Sequence, residues 1–249
     1  MFSPWFRSAL RHLPSQCLVC HAWPAQSVCL HCTVAFSSPV MRCSRCALPT
    51  PGLAGFAKAF PGATAAPSAL CGSCLRLTTS PPTGPDTCLA ALPYAYPWSG
   101  LITRFKFGGD SGLARPLAEL MRHAPGVAGL LAECDAVLPM PLSDQRLRER
   151  GFNQALLLAQ ALAPDKTRAQ WLLRIRDTPP QTALPRPERL RNLDHALALE
   201  PLHAEQAAGQ HMVLVDDVMT TGTSLLAAAQ VLRQAGARQV SAVVLARAE

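Results

Sequence analysis

Four C-x-x-C pairs near the start of the chain constrain its fold more than any other feature of the sequence. The pairs are Cys17/Cys20, Cys29/Cys32, Cys43/Cys46 and Cys71/Cys74. A C-x-x-C turn directs two thiolates toward one tetrahedral ion, and two such turns complete a structural site with four sulfur ligands. The sequence therefore predicts two four-cysteine zinc sites, with metal replacing the hydrophobic core that so short a segment cannot build.

The spacing of the cysteine pairs indicates how they combine. Eight residues separate the first pair from the second, and 24 separate the third from the fourth. We expect the first and second pairs to share one ion and the third and fourth pairs to share another, although an interleaved arrangement fits the same ligands. The loop of residues 47–70 is rich in Ala, Gly and Pro, and we expect it to be mobile. His21 and His31 are alternative ligands, but we expect them to be solvated neighbours of the sites.

Other cysteine chemistry fits the chain less well. Disulfides need an oxidising compartment, whereas the first 16 residues lack the continuous apolar stretch of a secretory signal. A redox dithiol or an iron–sulfur cluster is a further alternative, but four tandem pairs favour zinc. Cys88 and Cys134 stand alone, and we expect buried thiols. No apolar run reaches the length of a membrane span, so we expect a cytoplasmic protein.

The charge of the chain is a weaker argument for a nucleic-acid partner than it first suggests. The formal net charge is +7, with 20 arginines and three lysines. Eight zinc-bound thiolates and two zinc ions would lower this by four, to +3. The local distribution is more informative, because residues 140–192 contain ten basic and five acidic side chains. This segment has the charge to contact phosphate, on a nucleotide or on a strand.

The region after residue 85 has the pattern of an α/β domain. Hydrophobic residues make up 49% of the chain and charged residues 16%, which excludes a disordered, highly charged protein. Apolar runs predict strands over 88–96, 135–138, 211–215 and 239–246, and helical spacing predicts helices over 113–123, 153–163 and 224–234. This alternation predicts a mostly parallel sheet, with ligands bound beyond the carboxyl ends of its strands. We predict domains at 1–85 and 86–249.

The strongest functional signal follows the strand that begins at His211. Two adjacent acids, Asp216 and Asp217, end an apolar run, and a short loop of small hydroxylated residues leads into a helix. Such a loop offers N–H groups and hydroxyls to a phosphate at a helix N-terminus. The Walker and dinucleotide-binding glycine patterns are both absent. The alternative is a capped helix beside two solvated acids, but adjacent acids at the end of an apolar strand are costly without a role.

This segment carries a family resemblance. VLVDDVMTTGTS, residues 213–224, resembles the ribose-phosphate signature of type I phosphoribosyltransferases. With the four cysteine pairs, the chain resembles the ComF/GntX family of competence-associated, phosphoribosyltransferase-like proteins, which often carry an N-terminal zinc ribbon. The other matching segments are 105–110, 135–142 and 146–154, with Thr178, Pro180, Gln181, Arg189, Arg191 and Asn192. Two departures are Met219, where relatives often have an aromatic residue, and the long insert between the last two cysteine pairs.

The resemblance implies a fold, a ligand and a set of roles. The fold is α/β, a type I phosphoribosyltransferase-like, mostly parallel sheet flanked by helices, preceded by a double zinc-ribbon module. The ligand is phosphoribosyl pyrophosphate (PRPP) with Mg²⁺. Asp216 and Asp217 would hold the ribose hydroxyls. The 5′-phosphate would lie on Thr220, Thr221, Gly222, Thr223 and Ser224. The candidates for the pyrophosphate are Lys106, Met140 of the Pro139–Pro141 loop, and Arg146 and Arg150, with Arg148 between them in a mobile flap.

Several of these residues have an alternative interpretation. Lys106 could project from an edge strand, and an arginine run is most often a solvated face. Asn153 is expected to cap a helix. Arg189 and Arg191 fit either a phosphate contact or a surface salt bridge.

We expect a phosphoribosyltransferase with an unknown acceptor, connected with competence and the handling of internalised single-stranded DNA. Its expected partners are PRPP, single-stranded DNA, and a competence helicase or other DNA-processing protein. The alternatives are a PRPP-binding regulator and a zinc-dependent nucleic-acid-binding scaffold without turnover.

Overall fold

A computed structural model of the chain describes residues 15–23, 26–37, 40–50, 70–76, 84–175 and 196–249. The chain forms two compact units, Met1–Ser38 and Pro39–Glu249. The first two cysteine pairs belong to the first unit, and the last two pairs belong to the same unit as the α/β domain. The domain boundary after residue 85 stays a prediction.

Strands and helices alternate along the second unit, as the apolar pattern predicts. The strands are β1 (Thr87–Pro93), β2 (Ala136–Pro139), β3 (Leu172–Arg174), β4 (Leu197–Leu199), β5 (His211–Met219) and β6 (Gln239–Arg247). The first unit contains α1 (Leu30–Phe36). The helices of the second unit are α2 (Gly72–Arg76), α3 (Trp98–Phe107), α4 (Ala114–His123), α5 (Val127–Glu133), α6 (Asp144–Arg150), α7 (Gln154–Leu162), α8 (Ala204–Ala207) and α9 (Thr223–Gln234).

The main sheet has the order β1-β6-β5-β2, and each neighbouring pair is parallel. Because the strands are parallel, their carboxyl ends meet at one edge, where such sheets bind ligands. β5 continues four residues beyond the predicted end at Val215, since its pairing with β6 runs as far as Met219 opposite Arg247. Asp216 and Asp217 therefore lie within the strand and are held by the sheet rather than by a loop.

Both faces of the sheet are covered, which explains why β5 and β6 are apolar without alternation. Met212 and Leu214 of β5 share a buried cluster with Leu225 and Leu232 of α9. α4 and α7 contact each other and the strands. β3 and β4 form a separate antiparallel pair, and β4 contacts α9. Cys88 and Cys134 are buried, as predicted.

Within the described segments, no helix has both the length and the apolar character that crossing a bilayer requires.

Candidate functional site

The two acids of β5 occupy the carboxyl edge of the sheet. Asp217 is 7% exposed and Asp216 is partly buried. Each carboxylate accepts a hydrogen bond from the next amide, Asp217 N–H to Asp216 Oδ1 at 2.8 Å and Val218 N–H to Asp217 Oδ1 at 2.6 Å. Burial raises the pKa of Asp216 to about 7, and the neighbouring Asp217 carboxylate adds to the rise. The fold thus holds two carboxylates together although their proximity opposes ionisation.

Lys106 supplies the positive charge beside these acids. Its Nζ lies 2.9 Å from Asp217 Oδ1, and both side chains are largely buried. Lys106 lies in the last turn of α3, so the alternative that it projects from an edge strand is wrong. The presence of Lys106 acts against the raised pKa of Asp216. The lysine and the acid pair, which are 110 residues or more apart in the sequence, therefore form one electrostatic unit.

The loop after β5 combines a left-handed glycine with small hydroxylated residues at the start of a helix. Gly222 adopts a left-handed conformation with φ +77°, which an L side chain rarely adopts, and it is the N-cap of α9. The Thr221 and Thr223 hydroxyls are hydrogen-bonded to each other. A helix start leaves its first N–H groups without carbonyl partners inside the helix. The loop thus places hydroxyls and helix N–H groups next to the two acids.

Two residues that follow α6, Asn153 and Gln154, form hydrogen bonds to the backbone near this site. Asn153 caps α7 by accepting from Leu156 N–H, as predicted, and its amide also donates to the Met140 carbonyl at 3.0 Å. The buried Gln154 side chain donates to the carbonyls of Phe105 at 3.4 Å and Lys106 at 3.5 Å. Asn153 and Gln154 therefore hold the backbone of Met140 and Lys106, two of the residues predicted to bind the pyrophosphate. The sequence motif R-G-F-N-Q therefore acts partly through positioning.

The Pro139–Pro141 loop offers less to a phosphate than its position suggests. Prolines have no N–H group, and the Met140 N–H donates to the Val215 carbonyl at 2.9 Å. The backbone donor predicted for the pyrophosphate is therefore engaged within the sheet in this conformation.

The three arginines after this loop lie on a helix, and the mobility of this segment stays a prediction. α6 is capped by Ser143, whose side chain accepts from Arg146 N–H, and it ends at the left-handed Gly151. Arg148 is exposed, and Arg146 and Arg150 are partly buried. Arg150 donates to the Gln154 side chain at 3.1 Å and lies 5.2 Å from the Phe107 ring centroid. Arg150 thus joins the network around Lys106, whereas Arg148 faces solvent.

The eight paired cysteines form two separate groups of four, joined first with second pair and third with fourth. The sulfur atoms of each group lie within 4.8 Å of one another. Cys20 and Cys29 Sγ are 3.7 Å apart, and Cys46 and Cys71 Sγ are 3.6 Å apart. A tetrahedral zinc ion with bonds of about 2.3 Å separates its sulfurs by about 3.8 Å. Both groups therefore fit zinc, and the interleaved arrangement does not occur.

The two groups are built alike. In each, the first pair lies on a turn whose following residue, His21 or Ala47, has positive φ and donates its N–H to the carbonyl of the first cysteine. The second pair lies at the start of a short helix, α1 or α2, rather than on another turn of the same kind. This repeat is hidden in the sequence, because the two groups differ by 16 residues in the length of their central loop.

The backbone prepares one thiol in each group to bind metal. Burial acts to raise the pKa of Cys17, but the N–H groups of Cys20, Cys29 and Val19 outweigh it and lower this pKa to about 6. For Cys43, burial is likewise outweighed by N–H groups, and its pKa falls to about 7. Zinc binds thiolates, so these N–H donors favour the form that coordinates metal.

Some predicted residues lie outside the described part of the chain. These are the central part of the loop at residues 47–70, and Thr178, Pro180, Gln181, Arg189, Arg191 and Asn192. Sequence reasoning missed Arg247 at the end of β6, which is 5% exposed although it is an arginine. A charged residue that ends an apolar strand was the only signal available for it.

The chain is similar to known proteins over most of its length. A family model described as a phosphoribosyl transferase domain matches residues 176–249. The DNA utilization protein YhgH of Salmonella typhimurium is 34% identical over 246 residues, which cover 94% of this chain and 98% of the relative. Competence protein F of Haemophilus influenzae is 33% identical over 190 residues, covering 72% of this chain and 78% of the relative.

A solved structure, the allosteric regulatory enzyme of purine biosynthesis, aligns with a TM-score of 0.38 and 17% identity, over 58% of this chain and 30% of that chain. This likeness is too distant to carry an argument. The extent of the YhgH match and the phosphoribosyltransferase domain decide the classification. The chain therefore belongs to the ComF/GntX family of competence-associated, phosphoribosyltransferase-like proteins.

Proposed function

We propose that this protein binds PRPP with Mg²⁺ and transfers its phosphoribosyl group to an acceptor. The observation that carries the proposal is the grouping of the Asp216–Asp217 pair, the Lys106 ammonium and the left-handed Gly222 at one strand end. PRPP has neighbouring hydroxyls, a phosphate monoester and a pyrophosphate. The site offers a chemically matched partner for each of these groups.

The partners follow from what each group donates or accepts. Ribose hydroxyls donate to the Asp216 and Asp217 carboxylates. The 5′-phosphate accepts from the loop hydroxyls and the first N–H groups of α9. The pyrophosphate lies toward the cations Lys106, Arg146 and Arg150. Because the Met140 N–H is engaged by Val215, side-chain cations rather than this amide would carry the pyrophosphate contact.

The transfer itself is a displacement at C1 of the ribose. The bond from C1 to the acceptor forms while the bond from C1 to pyrophosphate breaks, and the electron pair leaves on the pyrophosphate oxygen. Mg²⁺, when bound, would supply charge neutralisation on the phosphate oxygens. The protein contributes alignment of the reactants and fixed positive charge near the leaving group.

Calorimetric titration with PRPP and Mg²⁺ tests the binding step. We expect saturable binding by the wild type and none by the double variant Asp216→Asn, Asp217→Asn, because amides cannot replace two anionic acceptors. Asp165→Asn, at an exposed position, is the matched control and should bind as the wild type does. Unchanged binding by the double variant would remove the assignment. A pyrophosphate-release screen with nucleobases, amines and single-stranded DNA then tests turnover.

We also propose that the protein handles single-stranded DNA in competence, together with a helicase or another DNA-processing protein. The names of the relatives and the arginines of α6 support this. Binding through several arginines should weaken steeply between about 50 and about 200 mM salt. Fluorescence anisotropy with a labelled oligonucleotide measures this slope. The absence of binding at low salt would contradict the proposal.

We further propose that each of the two four-cysteine groups binds a zinc ion. The sulfur spacing supports it, and the metal would serve folding rather than catalysis.

A further inference from the structure

Arg247 joins the second four-cysteine site to the start of the phosphate loop. Its Nε donates to the Cys46 carbonyl at 2.8 Å, and its Nη1 donates to the Met219 carbonyl at 3.1 Å and to the carbonyls of Thr220 and Ala248. The residue is 5% exposed. A buried guanidinium is tolerated only where its donors are used, so these carbonyls are held at fixed positions around one rigid plane.

A second set of contacts runs parallel to this one. The Ser44 carbonyl, inside the third cysteine pair, accepts from the Cys88 N–H at 2.7 Å. The Cys88 thiol in turn lies 3.6 Å from the Met219 sulfur. Ala47, directly after the pair, is fully buried in the same apolar cluster as Cys88 and Met219. The turn that carries Cys43 and Cys46 is therefore part of the packing beneath β5.

Met219 passes this constraint on to the glycine of the loop. A Cβ atom at Gly222 would meet Met219 Cε, so the end of the methionine side chain lies directly beside the glycine backbone. In a close-packed interior, a shift of one of these groups moves the other. The position of Met219 thus helps to set the conformation of the turn that leads into α9.

We propose that Arg247 is a positioning residue through which the metal-filled second four-cysteine site holds the phosphate loop in its binding conformation. The inference rests on the proposed function for its ligand. Metal would tie the turn at Cys43 and Cys46 to α2 through Cys71 and Cys74. Without it, the turn keeps its packing against Cys88, but the Cys46 carbonyl is held less firmly, and Arg247 is oriented less firmly by this acceptor. The loop then samples other conformations and binds phosphate less tightly.

Two readouts test this inference. The first is hydrogen–deuterium exchange of residues 216–226 without ligand, and the second is PRPP affinity by calorimetry. Arg247→Met should keep both zinc ions, speed exchange in that segment, and weaken PRPP binding about tenfold or more, a typical coupling between sites. Arg238→Met is the matched control, since Arg238 is largely exposed and should leave both readouts unchanged. Arg247→Lys should recover part of the lost affinity.

A double-mutant cycle separates positioning from general damage. Cys74→Ser should lose one zinc ion and reproduce both effects of Arg247→Met. The double variant should be no weaker than the poorer single variant, because both changes break the same connection. The inference would be overturned if the two substitutions weakened PRPP binding by independent factors that multiply in the double variant. It would also be overturned if Arg247→Met exchanged hydrogen and bound PRPP as the wild type does. A wild type that does not bind PRPP would instead remove the proposed function, and the exchange data would still decide whether Arg247 orders the loop.

Discussion

Asp216→Asn should make the protein more stable at neutral pH while it impairs ligand binding. The wild-type carboxyl has its pKa raised from 3.8 to about 7 by burial and by the adjacent Asp217 carboxylate. Folding therefore opposes the charge that this group carries at high pH. The asparagine is neutral and nearly isosteric, and its oxygen still accepts from the Asp217 N–H. The substitution thus removes an unfavourable charge without losing the hydrogen bond.

The size of the gain follows from the pKa difference. One pKa unit corresponds to about 1.4 kcal/mol, so the shift from 3.8 to about 7 sets an upper limit of about 4 kcal/mol. Because Asp216 is only partly buried, we expect a gain of about 1–3 kcal/mol. The folded-state pKa lies above the unfolded one, so the penalty in the wild type is absent below the unfolded pKa, grows as pH rises, and is complete above about pH 7. The stability gain of the variant must follow the same course.

Urea unfolding at several pH values, with reductant and constant zinc, measures this gain. Fluorescence of Trp98 and Trp171, which are buried in the second unit, reports the transition. Asp86→Asn is the matched control, because Asp86 accepts from Val240 N–H and pairs with Arg233. The control should lose about 0.5–2 kcal/mol. A gain in Asp216→Asn that does not depend on pH, or a loss like that of the control, would refute the electrostatic reasoning.

Three further outcomes are expected. Gly222→Ala should lose about 1–3 kcal/mol of stability and most PRPP affinity, because alanine is strained at the left-handed φ of +77°. Gly129→Ala, on an exposed helix face, should gain up to about 1 kcal/mol, and thermal melts and calorimetry compare the two variants. Gln154→Leu should weaken PRPP binding severalfold, because it removes the hydrogen bond that holds the Lys106 carbonyl. The control Gln160→Leu, at an exposed position, should leave PRPP binding unchanged. Equal PRPP affinities of the two variants would contradict a positioning role for Gln154. Elemental analysis should find about two zinc ions in the wild type and about one in Cys74→Ser; zinc-free reduced protein would contradict both sites.

Local chemistry made much of this site predictable from the sequence. The acids, the hydroxyl loop and the start of α9 lie within twelve consecutive residues, so strand, turn and helix patterns fix their relation. The pairing of the cysteines was likewise favoured by spacing, since a short loop closes one four-cysteine group. The fold class followed from alternating apolar segments. Each of these inferences needed only neighbours in the sequence.

Contacts between distant segments could not be predicted in the same way. Nothing in the spacing indicates that Lys106 meets Asp217, or that Arg247 meets Cys46, since each pair is more than 100 residues apart. Likewise, the sequence does not indicate that the Met140 N–H donates to the Val215 carbonyl on a neighbouring strand. Such contacts depend on strand order and register, which a single sequence does not reveal.

The ion pair between Lys106 and Asp217 gives the proposed function a consequence for the order of events at the site. Without ligand, the ammonium offsets the charge of an acid whose neighbour already resists ionisation. A ribose hydroxyl that donates to Asp217 competes with Lys106 for the same oxygen, and a pyrophosphate offers the lysine a more highly charged partner. Under the proposed function, the Lys106 side chain would exchange one partner for the other as PRPP binds. The cation would then stabilise the empty site first and the leaving group afterwards, so that the same charge serves folding and transfer in turn.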